Sequence, residues 1–108
     1  MKELSNLCYL DGVLYCLADE YIKDSTVIEG VISKEWVKKI ENDLKIDEAF
    51  QEKDIYYLRN LRHLVVLSLG QLITSNRLSN NEIWFKYNDC MSAIVAVIDD
   101  TLFKLGAL

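Results

Sequence analysis

The chain has 108 residues, 51% of them apolar and 27% charged, with a formal net charge of −5. This length indicates a single domain, 1–108, and this composition excludes a disordered chain. The negative balance argues against a general binder of nucleic acid or of anionic membranes, since both need a basic footprint.

Proline is absent, which suits helices. The first candidate element contains Asn6-Leu7-Cys8-Tyr9-Leu10-Asp11-Gly12-Val13-Leu14-Tyr15-Cys16-Leu17. Asp11-Gly12 between apolar runs is a strong hairpin signal. A two-stranded hairpin is not stable alone, however, and the chain offers no clear third strand. The helical reading uses more of the sequence. Leu4, Leu7, Cys8, Leu14, Tyr15, Ala18 and Ile22 share a face, which Leu10, Leu17 and Tyr21 widen. Gly12 costs about 1 kcal/mol within that helix. Asp11 falls near the centre of the face, where it needs a hydrogen-bond partner, a bend or a pocket.

In residues 24 to 32, Thr26 with Glu29 could cap a short turn that Gly30 weakens. Ser33 is the cap of a second helix, with Ile32 and Val37 placed as a hydrophobic staple. Trp36, Val37, Ile40 and Leu44 share its apolar face. A third helix spans about Asp54 to Ser75, with Leu58, Leu61, Val65, Leu69 and Leu72 on one face. Leu64, Val66 and Leu67 make it apolar nearly all round, so it is expected at the centre of its bundle or buried on two sides. Ser79-Asn80-Asn81-Glu82 is a capping box, with Leu78 and Ile83 as its staple. Behind it Ile83, Tyr87, Cys90, Met91, Ile94, Val97, Ile98, Thr101 and Leu105 form one helical face to about residue 105. The expected fold is all-α, a compact antiparallel bundle of four or five helices.

Lys2 and Glu3 open the chain, and no signal-peptide pattern follows them. The longest apolar run, His63 to Gly70, is too short to span a bilayer. Cys8, Cys16 and Cys90 form no CxxC pair and read as reduced and buried, which places the protein in the cytoplasm. With one histidine and no paired cysteines, neither a structural metal nor a cofactor is expected. A Cys16–His63 nucleophile pair is the weakest of the chemical options.

Three stretches could carry function. Glu41 to Asp54 holds six acids and two lysines, most of the net charge. Glu41, Asp43, Asp47, Glu48, Glu52 and Asp54, with Phe50 among them, could dock on a basic partner surface. The competing reading is a solvated helix end, with acids at the next helix start where the macrodipole favours them. Second, Phe85, Ala96 and Phe103 form an outer stripe on the last helix, with Ser92 and Asp99 between them. Gly70 lies on the outward face of the third helix near Leu67 and His63. These could form a homodimer seam or partner groove, or each second face could meet another helix of the bundle.

Third, Tyr56-Tyr57-Leu58-Arg59-Asn60-Leu61-Arg62-His63 is a local basic cluster. Arg59-Asn60 followed by His63 resembles the motif of the HEPN ribonuclease superfamily, in which four to six residues separate Arg from His; here three do. The resemblance implies an all-helical domain, usually dimeric, that cuts RNA without metal, with His63 as general acid or base and Arg59 on the phosphate. The alternative is that these side chains pair with nearby acids.

The leading expectation is a small protein-interaction module, an inhibitor or immunity-type protein that blocks a basic target such as a nuclease or toxin. Trp36, Phe50, Tyr56 and Trp84 are candidate anchors. An HEPN-like ribonuclease, or an inactive relative, and a structural homodimer are the alternatives.

Overall fold

A computed structural model describes residues 2–28, 30–75 and 81–107. Among these residues all regular elements are helical: α1 (Lys2–Lys23), α2 (Lys34–Asp43), α3 (Ile46–Glu52), α4 (Ile55–Ser75) and α5 (Asn81–Lys104). The all-α expectation holds, with five helices. Asp11-Gly12 lies inside α1 and makes no turn.

The buried line of α1 is Leu10, Leu14, Leu17, Ala18 and Tyr21. It is rotated from the expected face, so Tyr15 is partly exposed and Ile22 only half-buried. Asp11 therefore sits at the edge of the core rather than its centre, and the Ser68 hydroxyl of α4 donates a hydrogen bond to it. That bond satisfies both polar groups as they leave water. Leu4, Leu7 and Cys8 lie outside the described side chains.

Residues 24–32 carry the chain from α1 to α2. Thr26 is tied back to the residue two before it. Its N–H and hydroxyl donate to Asp24, at 2.9 and 2.6 Å, and the Trp36 indole N–H donates to the same carboxylate at 2.8 Å. These donors, those of Thr26 first, hold the Asp24 carboxyl below its ordinary range. Glu29 lies outside the described residues. Gly30 takes φ +78°, the left-handed conformation that lets Ile28 and Val31 bridge across a tight turn. The turn is tied to α5, because Gly30 N–H and the Tyr21 hydroxyl both donate to Asp89. Burial, then the adjoining Asp89, raises the Tyr21 phenol well above its usual pKa, so it stays a donor.

Ser33 caps α2 as expected, accepting from Trp36 N–H at 3.2 Å. Ile40 and Leu44 are buried, while Trp36 and Val37 pack at the core margin. The Trp36 ring meets Tyr21 edge-on, with centroids 5.0 Å apart. Asp54 caps α4, accepting from Tyr57 N–H at 3.0 Å. The capping box at Ser79 and its staple residue Leu78 lie outside the described residues. At its far end α5 closes with Gly106 at φ +74° and bonds from Ala107 N–H to Leu102 C=O and Gly106 N–H to Phe103 C=O. That is a Schellman ending, which satisfies carbonyls the helix leaves unpaired.

α5 is the hub and packs along both α4 and α1. Arg59 near the start of α4 reaches the Ala107 carbonyl beyond the end of α5, and Arg62 pairs with Asp99, so α4 and α5 run antiparallel. Lys86 near the start of α5 donates to the Ile22 carbonyl near the end of α1, so those two are antiparallel as well. α1 and α4 therefore point the same way. This is possible because α2 and α3 return the chain between them. Leu58, Leu61, Val65 and Leu69 of α4 and Cys90, Ile94, Val97, Ile98 and Leu102 of α5 join the α1 line in one core. Each fully buried Leu or Ile contributes about 1.5–3 kcal/mol. The expectation that α4 is covered all round is not met: Val66 and Leu67 are exposed.

Candidate functional site

The acidic stretch from Glu41 to Asp54 is not a loop. α2 continues through Asp43, the backbone turns at Lys45 with φ 58°, and α3 follows and closes at Lys53 with φ 56°. Ile46 and Ala49 point into the core, as does Leu44 just before them. The helical phase then sends Asp47, Glu48, Phe50, Gln51 and Glu52 outward, and all five are exposed. The Tyr57 hydroxyl donates to the Leu44 carbonyl at 2.7 Å and pins the α2–α3 turn to α4. Burial raises the Tyr57 phenol well above its ordinary pKa, and the charges of Glu48 and Asp54 add to this, so it remains the donor.

The acids divide by role. Asp54 is half-buried and spent on capping α4. Asp43 shares Lys39 with Glu20 of α1, at 3.5 and 2.9 Å from the ammonium. Glu41, Asp47, Glu48 and Glu52 make no ion pair among the described residues. Glu41 lies near Asp47 and near Asp100 of α5. Partial burial first, then those two carboxylates, raises the Glu41 pKa, and Lys104 opposes the shift. Asp100, itself paired with Lys104 at 3.1 Å, is a part of this edge that sequence reading missed. Its only signal was its spacing of four from Lys104, which reads as a solvated pair.

The Glu41 shift has a sign that can be tested. Its folded pKa is above the unfolded one, so the proton it binds supports folding below the ordinary carboxylate value. That support is lost as pH rises through the folded pKa. Thermal melts of Glu41→Gln and the parent chain are expected to agree at pH 4 and to diverge by pH 7, with the variant the more stable.

The basic cluster on α4 is split. Arg62 pairs with Asp99 at 2.7 Å, and Arg59 Nη2 donates to the Ala107 carbonyl at 3.2 Å. His63 is exposed. The Arg59 guanidinium is thus placed at the end of α5, where cations complement the helix dipole. Cys90 is buried, and burial, with a contribution from Asp89, pushes its thiol up to about 12, which leaves it inert. Cys16 is exposed, in keeping with its place on the outer side of α1 and against the reading of all three cysteines as buried, and it lines a shallow groove with Tyr9, Gly12, Val13, Glu20 and Asp43. No hydrogen bond joins Cys16 to His63 among the described residues. No grouping of three or more potential metal ligands occurs among the described residues either, and none of the described helices is long and apolar enough to cross a membrane.

The outer stripe stands clear of the core. Phe85, Ala96 and Phe103 are exposed, and Gly70 is half-buried. Trp84 meets Phe85 edge-on, with centroids 5.0 Å apart. Among the described residues no other helix covers these outer faces of α4 and α5, though Ser92 and Ala96 share a cleft with Gly30, Val31 and Ile32 of the α1–α2 connection.

No protein-family model, no curated protein and no solved structure matches this chain.

Proposed function

We propose that this chain is a protein-interaction module whose α2–α3 edge docks on a basic surface of another protein. The finer reading is an inhibitor or immunity-type protein that covers a cationic groove, such as that of a nuclease or toxin, in the cytoplasm. One observation carries the proposal. Glu41, Asp47, Glu48 and Glu52 lie along α2 and α3 and none of them closes an ion pair among the described residues, although Lys104 lies near Glu41 and Lys45 near Glu48 and Glu52; the exposed Phe50 sits among them on α3. At Glu41, burial first and then the charge of Asp47 disfavour the ionised carboxylate, a cost that a cationic partner would relieve. Phe50 supplies an apolar anchor within the charged rim, the combination that recognition surfaces favour.

The test uses immobilised parent chain and the variant Asp47→Asn/Glu48→Gln/Glu52→Gln in a lysate of the source organism. The parent is expected to retain a basic protein that elutes with rising salt. The variant, folded to the same extent by circular dichroism, should associate with the purified partner about tenfold more slowly and with a weaker salt dependence. Equal association rates for the two chains would remove the acidic edge from the function.

A further inference from the structure

We infer that the α4–α5 face is a two-fold symmetric seam and that its occupant is a second copy of this chain. On α5, Phe85, Ser92, Ala96 and Phe103 fall within a narrow strip, because each interval of seven or four residues closes nearly whole turns. The pattern reads the same in both directions about residue 94: Phe85 and Phe103 lie nine positions to either side, Ser92 and Ala96 two to either side. A copy laid antiparallel on this strip sets small residues against small ones at the centre. Each phenylalanine then meets the other phenylalanine of its partner. This is the self-complementarity that an isologous two-fold interface requires.

Exposure agrees with spacing. Phe103 is 69% exposed and Phe85 50%, which leaves roughly 200 Å² of aromatic surface in water. α4 widens the strip. Val66 follows Arg62 by one turn, so it borders the Arg62–Asp99 joint. Val66 and its neighbour Leu67 are 41% and 48% exposed, and Gly70 lies a further turn on. Space is open around Gly70, where an added Cβ would meet no atom within 4 Å.

The area is sufficient. From Phe85 to Phe103 the strip is about 27 Å long, and two adjacent helices make it about 20 Å wide. Face-to-face pairing thus covers roughly 1,000 Å² in total, the size at which specific interfaces begin. The charges also permit it. Between Lys86 and Lys104 α5 carries no lysine or arginine, in line with the depletion of lysine at interface centres. The two carboxylates flanking the strip are already held within the chain, Asp99 by Arg62 and Asp89 by Tyr21 and Gly30. They lie on opposite flanks, and a two-fold axis across the strip keeps each flank on its own side. Asp99 therefore does not stack on the partner's Asp89. The seam lies on the outer strip of α4 and α5, whereas the acidic edge is carried by α2 and α3 with Asp100 of α5 at its border, so the substitutions that test one leave the other intact.

Sedimentation equilibrium of the full chain at micromolar concentration is the test. The parent is expected at twice the 12.5 kDa chain mass. Ala96→Arg and Phe103→Lys should each return it to the single-chain mass. Both positions are exposed, so the helical circular dichroism of each variant should match the parent. An equimolar mixture of Ser92→Cys and Ala96→Cys chains should oxidise to a disulfide-linked pair of unlike chains. A parent that sediments as a monomer overturns the inference. So does a dimer that survives both charged substitutions, because its interface would lie elsewhere.

Discussion

Ile94→Ala is expected to lower the unfolding free energy by about 2–5 kcal/mol, read as a shift of the urea midpoint. Ile94 is fully buried on α5, the helix against which both α1 and α4 pack. Truncation removes contacts to more than one helix at once. Those helices are held to each other by separate polar links, Asp11 with Ser68 and Arg62 with Asp99, so they cannot simply close over the cavity. A domain of this size has only about 5–15 kcal/mol to lose. At about 4–8 °C per kcal/mol the melting temperature should fall by about 8 °C or more. Gln71→Ala, at an exposed position of α4, should stay within about 0.5 kcal/mol of the parent. If both variants unfold with the parent, the core does not centre on α5.

Much of this architecture was legible in the chain, for reasons that differ by element. α2 announces itself through Ser33, whose hydroxyl does what its position implies, and through Ile40 and Leu44, which are buried as their spacing predicts. The long faces of α4 and α5 were equally readable, because runs of apolar positions recurring at three and four leave little choice of phase. α1 shows the limit of the same reasoning. Its apolar sector is so wide that Tyr15 and Leu10 were both admissible inward positions. Only the direction from which α4 and α5 approach decides for Leu10.

α3 was hidden for a different reason. Both its borders are lysines in the left-handed conformation, a role usually signalled by glycine or asparagine. With no punctuation in the sequence, Glu41 to Asp54 looked like one charged stretch. The count of acids was therefore visible and their division was not. Which acids face water depends on where α3 begins, and the capping role of Asp54 depends on where α4 begins. The outer stripe of Phe85, Ala96 and Phe103 was readable as a periodicity. That no other helix among the described residues covers it required the packing of all five helices.

Ile46→Ala is expected to be as costly as the change at Ile94, about 2–5 kcal/mol by side-chain size and burial, but to act in a different place. A helix of seven residues has no independent stability in water. α3 persists because Ile46 and Ala49 are seated in the core and because Tyr57 holds the Leu44 carbonyl before it. Two non-glycine residues in left-handed conformation also strain its borders, at about 1–3 kcal/mol each. Removing the Ile46 anchor lets that strain relax by releasing α3, while the α1–α4–α5 core keeps its contacts. Hydrogen exchange should therefore lose protection selectively at residues 46–53, with the amides around Ile94 little changed. Ile94→Ala should instead lower protection throughout. Because Asp47, Glu48 and Glu52 ride on α3, Ile46→Ala should also slow association with a basic partner without removing a single charge. A uniform loss of protection in Ile46→Ala would show that α3 is part of the central cooperative unit and not a separately anchored carrier of the acidic edge.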